Sequence, residues 1–170
     1  MTQVDAVALD AVPVGAVAAV RPSRRCDPTR DGVTLQAALD VLAAWLQAWP
    51  GGGSVPYLSS NAAADLFDGY RRDCSGYVSM ALGLPGPGLG TIQLAQQSTP
   101  ISRANLHPGD LMINPAAGGA GHVVLFEQWA DAGMTSYYGF EQSGDGGTHY
   151  RQIPYPYFGS YTTSPYRLGK

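Results

Sequence analysis

One cysteine lies where a helix is expected to begin. Cys74 stands in the stretch Arg72-Asp73-Cys74-Ser75-Gly76, directly before an apolar run that has helical spacing and ends at Gly83 and Pro85. Backbone N–H groups at a helix N-terminus have no partner and carry partial positive charge, which favours the nucleophilic thiolate form of a cysteine there. Cys74 is therefore a candidate nucleophile, although a lone cysteine in an apolar helix is also a common core residue.

A nucleophilic thiol needs a base that takes its proton, and the chain contains three histidines. His107 precedes a proline in a turn, and His149 falls within a later strand. His122 opens the most apolar strand of the sequence, directly after a glycine-rich loop. We therefore expect His122 to be the base that pairs with Cys74.

The base in turn needs a third group that fixes its tautomer and orientation. If the strand of His122 belongs to a hairpin that turns near Ala132, residues whose numbers sum to about 264 lie opposite each other. This register places His122 across from Gln142 and diagonal to Glu141. Glu141 or Gln142 can therefore orient His122, and the residues alone leave both open.

The elements that position these residues come in the order helices first, strands after. The predicted helices are an amphipathic one over 34–49, a single turn within 61–66, the helix of Cys74, and a short one over 91–97. The predicted strands are 111–114, 122–129, 135–142 and 148–153. The tail 154–170 is rich in tyrosine and proline, and it is expected to lie over the sheet as an edge strand or a cover. The fold class is therefore α+β, with N-terminal helices packed on an antiparallel meander.

Length and composition predict one folded domain. The chain has 170 residues, of which 14% are charged and 45% are hydrophobic. Residues 1–32 contain scattered prolines and a cluster of arginines, and we expect them to form an arm ahead of the domain 33–170. A net charge of −3, with basic residues scattered except for the cluster over 21–30, excludes a nucleic-acid partner. No run approaches the roughly 18 apolar residues of a membrane span.

Targeting, disulfide and metal signals are weak. The apolar stretch 6–20 is broken by Asp10 and Pro13 and has no basic segment before it, so it is a poor signal peptide, and a signal already removed is left open. A disulfide between Cys26 and Cys74 would block the nucleophile and make the chain a binding or regulated module. No metal or other cofactor is expected, because the candidate residues lack closely spaced ligand pairs.

Three motifs, taken in order, resemble the NlpC/P60 family of papain-like cysteine peptidases. They are Asp73-Cys74-Ser75-Gly76, Leu106-His107-Pro108-Gly109-Asp110-Leu111 and Gly121-His122-Val123-Val124-Leu125-Phe126, and the resemblance covers residues 55–143. It implies a papain-like catalytic domain over 33–170 that hydrolyses an amide bond, with a bacterial cell-wall (peptidoglycan) stem peptide as substrate. It also implies a secreted or wall-associated location, and we expect a monomer.

The resemblance also suggests roles for neighbouring residues. The related CHAP amidases have a glutamate about this far after the histidine, which favours Glu141 as third member, whereas NlpC/P60 proteins more often have a histidine or another polar residue. Asp73 and Ser75 are placed to meet a substrate amine. Tyr57 is similar to the family's upstream tyrosine, and it could stabilise an oxyanion together with the Cys74 N–H. Gln142 remains a candidate for substrate binding. Acyl transfer and peptide binding without cleavage remain open as alternatives.

Overall fold

A computed structural model describes residues 35–169 as a mixed α+β fold, which confirms the predicted class. Three helices precede six strands in this part of the chain: α1 (Leu35–Ala44), α2 (Cys74–Ala81), α3 (Thr91–Gln96), β1 (Ser98–Pro100), β2 (Leu111–Asn114), β3 (His122–Trp129), β4 (Ser136–Ser143), β5 (Gly147–Pro154) and β6 (Ser164–Leu168). None of these helices is long and apolar enough to cross a lipid bilayer. The expected arm 1–32, with Cys26, lies outside the described residues.

Helix α1 ends at Ala44 and not at Trp49 as predicted. After Ala44 the chain tightens into turns, and the Trp49 N–H donates to the Gly53 carbonyl at 3.0 Å. Gly51 and Gly52 make this reversal with φ angles of 90° and 81°, a region that glycine enters without a Cβ clash. The predicted helix was too long because apolar spacing continues into the turn, whereas the glycines decide where the helix stops.

Helix α2 is the central buried helix, and it begins at the predicted nucleophile. All eight of its residues, Cys74–Ala81, are buried. Asp73 is its N-cap and accepts a hydrogen bond from the Gly76 N–H at 2.7 Å. The Tyr77 hydroxyl donates to the Leu42 carbonyl at 2.7 Å, which joins α2 to α1. The start of α2 is thus fixed by a cap and by packing on α1.

The six strands form one antiparallel sheet in the order β1-β6-β2-β3-β4-β5. Strands β2 to β5 form the predicted meander. The expectation that the C-terminal segment forms an edge strand is wrong, because β6 lies between β1 and β2 and pairs with both. Strand β1 was not predicted, since three residues of mixed type carry no pattern of alternation.

Both faces of the sheet are covered. On one face Ile113, Val123 and Leu125 pack in a core with the side chains of α1 and α2. On the other face Val124 and Phe126 belong to a smaller core, against which Tyr155 and Tyr157 of the tail pack. The tail therefore covers the second face, which was the other predicted placement, and it brings aromatic side chains close to the start of β3.

The β3–β4 hairpin has a register one residue away from the predicted one. Leu125 lies opposite Phe140, and a bulge follows between Phe126 and Gln128. Side chains alternate between the two faces of a strand, so a shift of one residue exchanges the faces of every side chain relative to the partner strand. This shift places Glu141, and not Gln142, on the face of β4 that His122 shares.

Candidate active site

Cys74 combines a buried position with an open cleft beside it. It is the first residue of α2, is 6% exposed, and carries a free thiol. The cleft has a volume of about 370 Å³, within the range of small-ligand sites. Its lining comes from the segment before α2, the start of α3 and the loop before β3, and comprises Tyr57, Ser59, Ser60, Asn61, Arg71, Asp73, Cys74, Ser75, Gly90, Thr91, Gln93, Gly118 and Gly121.

His122 enters the site from the first position of β3. The preceding residue must be glycine, because a Cβ on Gly121 would lie 2.5 Å from Thr91 Oγ1 and would overlap the Ala116 carbonyl. The loop can therefore turn tightly into the strand next to α3. The side chain of His122 is 12% exposed, and Cys74 is close enough to be among the causes that raise the pKa of its ring. The predicted nucleophile and base are thus neighbours.

Glu141 reaches the far side of the same ring. The His122 Nε2 and Glu141 Oε2 atoms are 2.6 Å apart, and the Glu141 side chain is fully buried. Because Nε2 of His122 is hydrogen-bonded to the Glu141 carboxylate, Nδ1 is the ring nitrogen that can interact with Cys74. The three residues therefore form a connected row of thiol, imidazole and carboxylate, which is the arrangement of a nucleophile, a base and an orienting group.

The charges in this row stabilise one another. Burial lowers the pKa of His122, but side-chain hydrogen bonds with Cys74 and Glu141 and the charges of both outweigh burial and raise the pKa from 6.5 to about 9. Burial raises the pKa of Glu141, yet the bond and charge of His122, the Tyr157 hydroxyl and the Arg151 charge bring the pKa below its usual value. At neutral pH the pair is therefore an imidazolium and a carboxylate.

Two residues that the sequence reasoning missed complete the surroundings of Glu141. The Arg151 Nε atom donates to Glu141 Oε1 at 2.5 Å, and the Tyr157 hydroxyl donates to Oε2 at 2.5 Å. The Tyr157 ring also packs on the His122 ring, with centroids 5.0 Å apart. Arg151 lies on β5 opposite Gly139, so alternation and the observed register would have placed it on the face of Glu141.

Two tyrosines approach Cys74. Burial, followed by the charges of Cys74 and Asp73, raises the pKa of Tyr57, so its hydroxyl remains a proton donor. Tyr161 also has a raised pKa, first through burial and then through the charge of Cys74. The Tyr161 ring centroid lies 6.3 Å from that of His122. Tyr57 was predicted as an oxyanion donor, whereas Tyr161, in the aromatic tail, was not singled out.

Asp73 and Ser75 line the cleft as predicted, but their side chains are already bonded within the protein. Asp73 Oδ1 accepts from the Ser75 hydroxyl at 3.0 Å and from the Gly76 N–H, and Oδ2 accepts from Arg71 Nε at 2.8 Å. Arg71 also donates to the Ser75 hydroxyl at 3.0 Å. The predicted contact of Asp73 and Ser75 with a substrate amine stays a prediction. The sequence did not single out the buried Arg71 guanidinium that lies beside these two residues.

The remaining candidates have partners other than Cys74 or His122. Gln142 donates from Nε2 to the Val55 carbonyl at 3.0 Å and is fully buried on the other face of β4. His149 pairs with Asp145 at 3.2 Å, and the Nδ1 of His107 lies 3.2 Å from an Arg167 nitrogen. The structure thus brings together Cys74, His122 and Glu141 and leaves the other histidines and Gln142 outside the row.

Across residues 35–169, no cluster of three or more His, Cys, Asp or Glu side chains could hold a metal ion. No protein-family model matches this chain, and a search of curated proteins finds no match. The likeness to NlpC/P60 peptidases consequently rests on the three sequence motifs.

Proposed function

We propose that this protein is a cysteine amidase or peptidase in which Cys74 is the nucleophile, His122 the acid and base, and Glu141 the orienting residue. The observation that supports this most is the His122 ring, which is hydrogen-bonded to a buried carboxylate and has Cys74 as a neighbour. The His122 Nε2 and Glu141 Oε2 atoms are 2.6 Å apart, and Cys74 and Glu141 together raise the pKa of His122 to about 9. A thiol, an imidazole and a buried carboxylate in this order are what acyl transfer to a cysteine requires.

In the first half of the reaction the Cys74 thiolate attacks a carbonyl carbon and forms a C–S bond. The N–H of Cys74, which has no acceptor within its own helix, and the Tyr57 hydroxyl are the candidate donors to the resulting oxyanion. The His122 imidazolium then gives its proton to the leaving nitrogen as the C–N bond breaks. The products are a free amine and a thioester.

In the second half, neutral His122 takes a proton from water, and the water oxygen attacks the thioester. The C–S bond breaks, which releases a carboxylic acid and returns the thiolate next to an imidazolium. Glu141 supports both halves because its buried charge stabilises the protonated ring, and its hydrogen bond to Nε2 holds Nδ1 toward the sulfur.

The substrate class comes from the motif resemblance. The likeness to NlpC/P60 peptidases supports a papain-like catalytic domain and a stem peptide of the bacterial cell wall as substrate. It extends the proposal to a secreted or wall-associated location. The cleft beside Cys74 provides a binding surface of a size that suits a short stretch of peptide.

The test is product analysis by mass spectrometry. The wild-type protein is incubated with purified stem peptides and with a proteome-derived peptide library, next to Cys74→Ser and the matched control His149→Ala. We expect new amine and carboxylate ends with wild type and with His149→Ala, and none with Cys74→Ser. Cleavage that survives Cys74→Ser would contradict the proposal. Binding without products would identify a binding module, and amides formed with an added amine would identify acyl transfer.

A further inference from the structure

A buried guanidinium lies at the wall of the cleft beside the nucleophile. Arg71 is 9% exposed, and its Nε and Nη2 atoms donate to Asp73 and Ser75 at 2.8 and 3.0 Å. Its Nη1 and Nη2 atoms donate to the carbonyls of Gly88 and Leu89 at 2.6 and 2.8 Å. A charge held by four acceptors, two of them in the backbone, is fixed in position.

Asp73 is committed to the same network. One carboxylate oxygen accepts from the Gly76 N–H and the Ser75 hydroxyl, at 2.7 and 3.0 Å, and the other accepts from Arg71 at 2.8 Å. The helix start and the guanidinium therefore occupy both oxygens. The pair has no net charge, so Asp73 offers an incoming cation no unshared charge, and each of its oxygens already accepts at least one hydrogen bond.

The rest of the lining is neutral and polar. Among the described residues that line the cleft, Arg71 and Asp73 are the only ones of the Asp, Glu, Lys, Arg and His types. Hydroxyl and amide groups and glycines supply most of the remaining surface, from Tyr57, Ser59, Ser60, Asn61, Gly90, Thr91, Gln93, Gly118 and Gly121. Apart from the Cys74 thiolate at its base, such a surface offers hydrogen bonds to a peptide backbone and offers no counter-charge to an ionic group.

We propose that the cleft binds an uncharged stretch of peptide whose amine is capped or distant, and that Arg71 sets this selectivity by neutralising Asp73. This inference rests on the proposed amide hydrolysis and narrows its substrate. It departs from the sequence expectation that Asp73 and Ser75 meet a substrate amine. In a peptide polymer, the segment that the cleft binds would be an interior or acylated one, and not a free N-terminal end.

The physical reason is the cost of an unpaired ion. An ammonium group placed over Asp73 would lose its water and would face the fixed guanidinium of Arg71, a like charge, at close range. An amide in the same place would lose little, because neutral donors and acceptors surround it. Discrimination against a free amine therefore follows from Arg71, although Arg71 need not touch the reacting bond.

The inference can be tested without a known substrate, by reacting Cys74 with two reagents of the same chemistry. Methyl methanethiosulfonate is neutral, and trimethylammonioethyl methanethiosulfonate is permanently cationic. In a Cys26→Ser background, rates of modification are measured by intact-protein mass spectrometry. The ratio of the cationic to the neutral rate should rise about fivefold in Arg71→Met, because an unpaired Asp73 charge then attracts the cation.

Adjacent residues provide the controls. Arg72 donates to the Asp65 carbonyl and lies over the Trp49 ring, 5.0 Å from its centroid, so Arg72→Met should leave the ratio unchanged. Asp73→Asn keeps the capping oxygen and exposes the Arg71 charge, and it should lower the ratio about threefold. If Arg71→Met does not fold, the ratio measured in Asp73→Asn tests the inference by itself. A ratio within twofold of the parent in Asp73→Asn, or in a folded Arg71→Met, would overturn the inference.

A second arm separates this inference from the proposed function. One peptide library is divided, and the amines of one half are acetylated before both halves meet the parent protein. We expect cleavage near acetylated ends to exceed cleavage near free amines, and the reverse preference would overturn the inference. If neither half is cleaved, amide hydrolysis fails as the function, while the reagent ratios still decide whether Arg71 keeps cations out of the cleft.

Discussion

At the scale of single residues, Glu141 is the most constrained side chain of the site. It is fully buried and accepts hydrogen bonds from His122, Arg151 and Tyr157, at 2.6, 2.5 and 2.5 Å. A buried carboxylate with three donors holds its charge and its orientation. The His122 ring is therefore held by an acceptor that cannot rotate away, which keeps the same ring nitrogen toward Cys74.

Replacing Glu141 by glutamine should lower the pKa of His122 from about 9, because the neutral amide no longer stabilises the imidazolium. NMR titration of the His122 ring protons measures this directly. The matched control is Gln142→Ala, which removes a fully buried side chain and its bond to the Val55 carbonyl on the other face of β4, and it should leave the pKa of His122 unchanged. An unchanged titration in Glu141→Gln, beside a shifted one in Gln142→Ala, would reverse the assignment of the orienting residue.

Cys74 and His122 could be predicted from local signatures, a helix start and a strand start after a glycine loop, whereas the residues alone left Glu141 and Gln142 both open as third member. The choice of Glu141 over Gln142 depends on a register that sequence defines only to within a residue. Arg151 and Tyr157 come only 10 and 16 residues after Glu141, and they were missed because the first depends on the exact β4–β5 register and the second on how the tail folds back over the sheet.

At the scale of elements, the meander was predictable and the position of the last strand was not. Turn residues between β3, β4 and β5 mark hairpins, whose strands are neighbours by construction. Strand β6 instead pairs with β1 and β2, which come at least fifty residues earlier in the chain. A short strand carries no local signal for such a partner, so an edge position was the natural but wrong expectation.

Helix α2 contains a glycine whose replacement should be costly. Alanine in a helix is normally more stable than glycine by roughly 0.5–1 kcal/mol. At Gly76, however, the new Cβ would lie 2.7 Å from the Arg71 Cβ and would overlap the Arg71 carbonyl. We expect Gly76→Ala to lower the free energy of unfolding by about 1–3 kcal/mol, as measured by urea denaturation.

The control for this prediction is Gly119→Ala, where a Cβ would meet nothing within 4 Å. Its effect on the free energy of unfolding should stay below about 0.5 kcal/mol. If Gly76→Ala proves neutral or stabilising, the close approach of α2 to the backbone of Arg71 would be wrong. The wall of the cleft that this approach builds would then need revision.

At the scale of the whole molecule, the site lies where the separate parts of the fold meet. The start of α2 supplies Cys74, the sheet supplies His122 and Glu141, and the tail supplies Tyr157. The start of α2, the sheet and the tail each pack against a hydrophobic core. The position of each site side chain therefore depends on the packing of the other two parts. The chemistry therefore depends on the complete fold, and the stability of the fold depends in turn on the charges of the site.

This dependence predicts how stability changes with pH. The pKa of His122 rises from 6.5 to about 9 on folding, so its contribution is fully present below pH 6.5 and is lost as pH rises through about 9. The contribution is up to about 3 kcal/mol. Urea unfolding across this range should show a falling free energy of unfolding for wild type and a flatter curve for His122→Gln. Parallel curves would contradict the raised pKa.

The central claim is that His122 activates Cys74, and alkylation of the thiol tests it most directly. Iodoacetamide labelling of Cys74 at neutral pH is followed by peptide mass spectrometry in wild type, His122→Ala and His149→Ala. We predict that His122→Ala slows labelling about tenfold, because the thiolate loses its proton acceptor and counter-charge, while His149→Ala matches wild type. Equal labelling rates in wild type and His122→Ala would contradict the account.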